Sequence, residues 1–524
     1  MIKMLSVTLF FLLYSFSTHA YYQRLDPTEL PSQYSTAKDI KNQFLRNAID
    51  KGVVVSYSKE TIQTVNKFAS TSLDFEGLSD LTHLKFVTID NDHSKDLDQA
   101  MFIEFSESQK KYTLYYAIAD AAYFLKPGSE IDMQAADRAF TTYLPGFDIP
   151  ILPRQLSEGL CSLNPQEKRR AIVVMVEFSA DGKISKKDFA HAIIRSVAQL
   201  SYRKVQDYYD QGPIHEYAGT EFQTTLDNLQ SLGSKLVKNA TARGVVDYSP
   251  TELRIEPRDK DGKAGYDIIH YKRYPVERYN EKISVTANQM VAEYLHEMGL
   301  KSIHRYHPKS DDWKFAKAKR KLKNLIKGTS LKGPVHKYIT RITTHPALDI
   351  ALGIICRINE KAIYSAQDDE HGHFALKVDH YDHFTAPMRR YQDVIIHRIL
   401  LASINNESVP YQTNEASVPE YLRHSYMVEY AEYITEVAKR EAEIERKNED
   451  FVSSLLLYSH RDEKISAKVS YVYSGSKAMV LPKGHLIKRL VSNIGQVKEG
   501  DILDFDLEES EITDNFILNL IAAE

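Results

Sequence analysis

Four aspartates fall close together in TIDNDHSKDLDQAM: Asp90, Asp92, Asp96 and Asp98, with Gln99 directly behind the last. Carboxylates packed this closely repel one another, so keeping them ionised is costly unless a cation lies among them. Their oxygens are hard donors of the kind magnesium and manganese take, and no soft ligand competes. Two such ions about 4 Å apart can activate a water and stabilise a leaving oxygen in phosphodiester hydrolysis. The spacing also matches half of a calcium loop, but the glycine and the terminal glutamate of an EF-hand are missing. A solvated acidic loop is the plain alternative. Far along the chain, HFTAPMRRYQD offers Arg389 and Arg390. Planar guanidinium forks suit phosphate because they donate paired hydrogen bonds; on its own, such a pair reads as surface charge.

The frame around these groups is that of a globular protein of two or three domains: 524 residues, 43% hydrophobic and 26% charged. With 67 basic against 71 acidic side chains and a net charge of −4, the chain as a whole has no pull toward polyanions. Any polyanion site must be a local basic channel, which weakens a passive nucleic-acid coat and leaves an enzyme open. Cys161 and Cys356 suggest neither a disulfide framework nor a zinc site and read as two buried thiols. LKFVTID predicts a strand that delivers the acidic cluster at its end, YTLYYAIADAAYFL a second buried strand, and AIVVMVEFSADGKI with AHAIIRSVAQLSY two strands around an Asp-Gly turn. DMQAADRAFTTYL predicts a helix, and the proline-punctuated LPGFDIPILPRQL no regular element. ISVTANQMVAEYLHEMGL and WKFAKAKRKLKNLIKG predict helices, and a long charged helix covers roughly 421–459. Beyond it, KISAKVSYVYSGSKAMVLP and DILDFDLEESEITDNFILNLI alternate with the period of a small antiparallel barrel. At the start, MIKMLSVTLFFLLYSFSTHA has the basic, apolar and small-residue layout of an export signal over residues 1–20, with a buried or amphipathic helix, or a start codon placed too early, as the alternatives.

FVTIDNDHSKDLDQA, FTTYLPGFDIPILPRQLSEGLCSL and YDHFTAPMRRYQDVIIHR, in this order and at this separation, resemble the catalytic domain of the ribonuclease II family. The likeness runs from about Asp80 to Arg398 and continues weakly to the C-terminus, and LPGFDIPILP resembles ribonuclease II proper more than ribonuclease R. The resemblance implies an α+β fold: a mixed α/β catalytic domain over 80–459 and a small OB-type barrel over 460–524. The region 21–79 is too short for the two OB barrels that usually begin such chains. The implied activity is a processive 3′-to-5′ exoribonuclease that hydrolyses single-stranded RNA to nucleoside 5′-monophosphates with Mg²⁺, or Mn²⁺, two ions taking part. The implied partner is single-stranded RNA, with no small-molecule cofactor, no obligate protein partner and a monomeric chain. A family member would be cytoplasmic, whereas the leader-like segment favours export to the periplasm or membrane association.

The family's motif carries four aspartates. Asp90, Asp96 and Asp98 match the first three, Asp98 being the most critical, and Gln99 stands at the fourth. Glutamine can still offer an oxygen to a hard cation but removes a full charge, implying weaker metal binding or a preference for Mn²⁺. Asp92 either compensates or is simply exposed, and an RNA-binding relative that turns nothing over remains the alternative. The resemblance makes Arg389 the group that steadies the scissile phosphate, places Arg390 beside the RNA, and leaves Tyr391, Asp393 and His397 to hold the segment in shape. Tyr143 matches the aromatic that stacks on the terminal base and Tyr248 falls on that base's other side. Tyr202 matches the aromatic that sets where the bound chain stops. Glu281 and Asn288 fall in a helix whose acid touches the RNA end, although Lys282 replaces the family's second acid. The run Lys314, Lys317, Lys319, Arg320, Lys321 and Lys323 is a solvated face or a phosphate guide. Few barrels and an acidic C-terminal end (Glu508, Glu509, Glu511) imply weak anchoring of long RNA and a shallow salt dependence.

Overall fold

The computed structural model describes residues 22–25, 27, 30–245, 252–260, 263–326, 351, 353–355, 360–458, 460–474, 477–510 and 517–522. Residues 1–20, Tyr248, Cys356 and Glu511 lie outside them.

In chain order come β1 (Tyr22–Leu25), α1 (Ala37–Ile49), α2 (Lys59–Ala69), β2 (Ser79–Asp80), β3 (Phe86–Asp90), β4 (Gln99–Ser106) and β5 (Lys111–Ala119). Then follow α3 (Glu130–Arg138), the short hairpin of β6 (Thr142–Leu144) and β7 (Phe147–Ile149), β8 (Lys168–Ser179) and β9 (Ile184–Ser201). The main sheet has the order β2-β9-β3-β4-β5-β8, and β8 also pairs with β9. This closure is possible because β9 is 18 residues long. Its first part runs antiparallel to β8 and its last part parallel to β3, setting Asp90 opposite Ser201. β3 lies between β9 and β4, so Phe86, Val87, Thr88 and Ile89 are all buried. A strand covered on both faces reads as a nearly continuous apolar run, which is what LKFVTID shows. The β8–β9 connection turns at Gly182, whose φ of +78° is open to a residue without a Cβ.

α4 (Tyr202–Gln211), α5 (Gln223–Arg243), β10 (Glu252–Lys260), β11 (Lys263–Tyr271), α6 (Pro275–Glu297), β12 (His304–Tyr306), α7 (Asp312–Leu325) and β13 (Ile363–Ser365) follow. β1 joins β11 and β10 in a separate three-stranded antiparallel sheet. α8 (Tyr391–Ile404) is buried on nearly every side, with Val394, Ile395, Ile396, Ile399 and Leu400 in the main core. A helix apolar all round belongs in an interior. α9 (His424–Tyr458) has 35 residues and is about 50 Å long. Met427, Tyr430 and Ile434 near its start join the main core, while Phe451, Val452 and Leu455 near its end join a second core under the last sheet.

That last sheet comprises β14 (Ile465–Ser474), β15 (Lys477–Pro482), β16 (Arg489–Ser492), β17 (Ile502–Ser510) and β18 (Ile517–Ala522), in the order β16-β15-β14-β17-β18. β16 also approaches β18, so the sheet is a nearly closed barrel. The architecture is therefore the expected α+β arrangement with a small C-terminal barrel. Two local expectations change. The helix in DMQAADRAFTTYL stops at Arg138, because Ala139 takes a φ of +60° and the chain turns into the β6–β7 hairpin. LPGFDIPILPRQL supplies β7 and, after Pro153, a helical turn over Gln155–Leu160. Among the described residues no helix is long and apolar enough to cross a membrane.

Candidate active site

β3 ends on Asp90 and β4 starts on Gln99, so the acidic cluster occupies the loop between two neighbouring strands. The loop is pinned from below: Leu97 N donates to Ser162 Oγ at 3.0 Å, and Ser162 Oγ donates to the Lys95 carbonyl at 2.7 Å. Asp98 is only 6% exposed. Its Oδ1 accepts from Met388 N at 3.0 Å and its Oδ2 lies 3.5 Å from Arg389 Nε. Burial pushes the Asp98 carboxyl up to about 7, with Asp96 adding repulsion and Arg389 and the Met388 N–H opposing. Asp96 is also raised, by burial and by the charge of Asp90. Asp92 faces elsewhere. It accepts from Arg203 Nε at 3.2 Å, and the Ser201 hydroxyl, followed by Arg203, holds it below the usual carboxylate range. It is the exposed residue of the cluster, not a compensating one.

The arginines sit on a turn before α8 that is tied at both ends. Phe384 N donates to Asn288 Oδ1 at 2.8 Å, Ala386 N to Asp393 Oδ2 at 2.8 Å, and Thr141 N to the Arg389 carbonyl at 3.1 Å. The last bond joins this turn to the segment leading into the β6–β7 hairpin. Arg389 is 43% exposed at its side chain. Although burial works against its charge, Tyr143, Asp98 and Asp90 raise it above its ordinary range. Arg390 has a different fate. Its Nε lies 3.1 Å and its Nη2 2.7 Å from the carboxylate of Asp393, which is wholly buried. That guanidinium is committed to a brace inside the protein. Removing Asp393 would leave a buried cation unpaired, so Asp393→Ala is expected to destabilise the fold by about 3–5 kcal/mol. Chemical denaturation measures this; a loss below about 1 kcal/mol would contradict it.

Tyr143 is 59% exposed on β6, and its neighbours include Arg389, Asp96 and Asp98. Tyr202 opens α4, half-buried, with its hydroxyl accepting from Asn280 Nδ2 at 2.7 Å and Asp90 close by. Glu281 is held by Arg273 at 3.3 Å and Lys282 at 2.7 Å. Asn288 is buried, donating to Tyr381 OH at 3.1 Å as well as accepting from Phe384. His397, buried, meets the Phe384 carbonyl at 2.9 Å through Nε2 and holds the same segment. In the basic run, Lys314 pairs with Glu360, and Lys321 bonds Glu499 at 2.5 Å and the Val472 carbonyl at 3.1 Å, tying α7 to the barrel.

Gln99 is half-buried. Its Oε1 accepts from the Tyr116 hydroxyl and from Ser284 Oγ at 3.3 Å, and its Nε2 donates to the Thr385 carbonyl at 2.8 Å. Tyr116, Ser284 and Thr385 escape sequence reasoning because they come from β5, α6 and the arginine turn, far apart in the chain. Asp90, Asp96 and Asp98 suit a hard cation as donors, and the repulsion raising two of them is what a cation would relieve. Among the described residues, however, no three His, Cys, Asp or Glu side chains converge closely enough to hold a metal ion.

Residues 78–406, well over half the chain, match the family described as RNB domain. The chain belongs to the ribonuclease II family. Exoribonuclease 2 of Buchnera aphidicola subsp. Schizaphis graminum is 32% identical over 416 residues, covering 77% of this chain and 61% of that protein. Ribonuclease R of Aquifex aeolicus is 28% identical over 418 residues, covering 76% of this chain and 58% of that protein. The chain thus spans about three fifths of the length of these two relatives, which carry both family names. Among solved structures, apo RNase R of Mycoplasma genitalium matches with a TM-score of 0.79 at 25% identity, over 92% of this chain and 78% of that one. Yeast Ssd1, described as a pseudonuclease, shares the fold at a TM-score of 0.67 and 17% identity, over 89% of this chain and 57% of its own. In this ribonuclease II family member the RNB match encloses the acidic loop, the Tyr143 hairpin and the arginine turn, and ends just after α8.

Proposed function

We propose that the protein is a metal-dependent exoribonuclease that degrades single-stranded RNA processively from its 3′ end to nucleoside 5′-monophosphates. The observation that carries this reading is the convergence of a buried carboxylate, Asp98, a part-exposed Arg389 and an exposed Tyr143 at one place in an RNB domain. Asp90, Asp96 and Asp98 are the hard donors that would have to draw together around Mg²⁺ or Mn²⁺, and the ion would supply an activated water and a counter-charge for the leaving oxygen. Arg389 presents its outer guanidinium face to the scissile phosphate, where paired N–H donors match the charge that grows in the transition state. Tyr143 stacks on the terminal base without regard to sequence, and Tyr202, near Asp90, forms the inner end of the track. Release of 5′-monophosphates and the 3′ polarity follow the family resemblance.

Base stacking is worth about 1–3 kcal/mol, so Tyr143→Ala is expected to raise KM for a short single-stranded RNA about 5- to 150-fold with a smaller change in kcat. Steady-state kinetics on that substrate checks it, and an unchanged KM would remove Tyr143 from the binding track. A 5′-labelled single-stranded RNA followed with Mg²⁺, Mn²⁺ and EDTA tests the function itself. The expected result is a ladder shortening from the 3′ end and abolished by EDTA. A second reading, an RNA-binding pseudoenzyme, is favoured by the hydrogen bonds that occupy the Gln99 amide at the position of the family's fourth aspartate; it predicts retained RNA binding with no cleavage under either metal.

A further inference from the structure

We infer that Gln99 is a positioning residue that holds the arginine turn, and that it stays off the metal ion altogether; the inference rests on the exoribonuclease reading above. Its Oε1 lies against the hydroxyls of Tyr116 and Ser284, whose two protons serve the three contacts of this trio. These two hydroxyls also lie 2.6 Å from each other, so the oxygen closes a small polar knot between β5 and α6. Tyr116 is fully buried, so its hydroxyl has no water to turn to if Gln99 leaves it, whereas Gln99 and Ser284 are half-buried. To ligate a cation, Gln99 would have to abandon the Tyr116 hydroxyl inside the core, a loss of about 1–3 kcal/mol.

The other end of the amide does what no carboxylate can. Nε2 donates 2.8 Å to the carbonyl of Thr385, at the start of the turn whose Met388 N–H is held by Asp98 at 3.0 Å. Two adjacent side chains therefore grip the two ends of a single turn, and Arg389 directly follows. The distance from Asp98 to Arg389 is set by this double grip. An aspartate at position 99 would be shorter by one methylene, would have no N–H for Thr385, and would aim a negative charge at that carbonyl's oxygen. The departure from the family's motif is thus matched by its surroundings: the Thr385 carbonyl and the two hydroxyls fit a neutral group that both donates and accepts.

Three measurements on the full chain test this. Mn²⁺ binding by calorimetry is expected to stay within about twofold of the natural protein in Tyr116→Phe and not to tighten in Gln99→Asp. RNA turnover is expected to fall at least tenfold in kcat for Gln99→Asp, with KM little changed. In a double-mutant cycle, Gln99→Leu combined with Arg389→Lys should be no slower than Arg389→Lys alone, because both act on the same contact. Tighter Mn²⁺ binding in Gln99→Asp or Tyr116→Phe by tenfold or more, with faster turnover in the former, would overturn the inference and make residue 99 a weakened ligand. Losses that multiply in the cycle would overturn it too, leaving Gln99 as packing. Should Gln99→Asp fail to fold, Tyr116→Phe carries the Mn²⁺ arm by itself. A natural protein that turns over no RNA would defeat the exoribonuclease reading alone, since the Mn²⁺ titrations still decide which way residue 99 faces.

Discussion

Asp98→Asn is expected to abolish RNA turnover, by three orders of magnitude or more, and at the same time to raise the melting temperature at pH 8 in EDTA. Both effects come from one carboxylate. Asp98 is 6% exposed, and burial, aided by Asp96, lifts its pKa to about 7 against Arg389 and the Met388 N–H. A carboxyl whose folded-state pKa is raised binds more protons folded than unfolded between about pH 4 and 7, so stability falls as pH rises through that window. At pH 8 the full penalty is present, a matter of a few kcal/mol at about 1.4 kcal/mol per tenfold change in proton affinity. Asparagine mimics the protonated form: it keeps an oxygen for Met388 N–H and carries no charge. Its advantage should therefore shrink steadily from pH 8 toward pH 4, where the natural side chain is itself neutral. Added Mg²⁺ should stabilise the natural protein and do less for the variant, since the ion would meet one carboxylate fewer. Melting curves across pH check the first point, and a variant less stable than the natural protein at every pH would contradict it. Turnover surviving in Asp98→Asn would contradict the second.

The adjacent arginines are expected to fail in different ways when replaced. Arg389→Ala should lose about 10²–10³ in kcat, the typical cost of removing a preorganised donor from a developing charge, while melting within a degree or two of the natural protein at about pH 5, where Asp98 is already protonated. The turn is held by backbone bonds, Arg389 N to the Ala386 carbonyl at 3.2 Å and Thr141 N to the Arg389 carbonyl at 3.1 Å. The side chain itself is 43% exposed and braces little. Arg390→Ala should do the reverse. It strands the wholly buried Asp393 without its partner, a loss of about 3–5 kcal/mol, and activity drops only as the folded fraction drops. Parallel kinetics and denaturation of the two variants decide the matter. Equal effects on activity at equal folded fraction would mean that both guanidiniums face the substrate.

How much of this was legible in advance differs from element to element. LKFVTID announced β3 because a strand buried on both faces is continuously apolar, and the Asp-Gly turn announced the β8–β9 hairpin because Gly182 tolerates a positive φ. The α9 helix and the C-terminal barrel were visible in their periods of 3.6 and two. The β6–β7 hairpin was hidden, since nothing local in DMQAADRAFTTYL tells Ala139 to leave the helix; its segment is instead drawn out by pairing with the arginine turn, Phe140 with Arg390. The pairing of Arg390 with Asp393, three residues on at the head of α8, could have been read as a helical i, i+3 ion pair.

By itself, then, the amino-acid sequence determined which chemistry is possible here: oxygen ligands bunched on one short loop, guanidiniums on one distant turn, tyrosines to stack, and a family whose motifs arrange them. Those properties are local, carried by residue type and spacing within a few positions. Only the tertiary structure decided which carboxylate is buried, which arginine is presented and what Gln99 does. Desolvation and hydrogen bonding depend on what the rest of the chain brings alongside, and the partners of Gln99 lie 17, 185 and 286 positions away. No pattern within a loop can encode groups supplied from that far off.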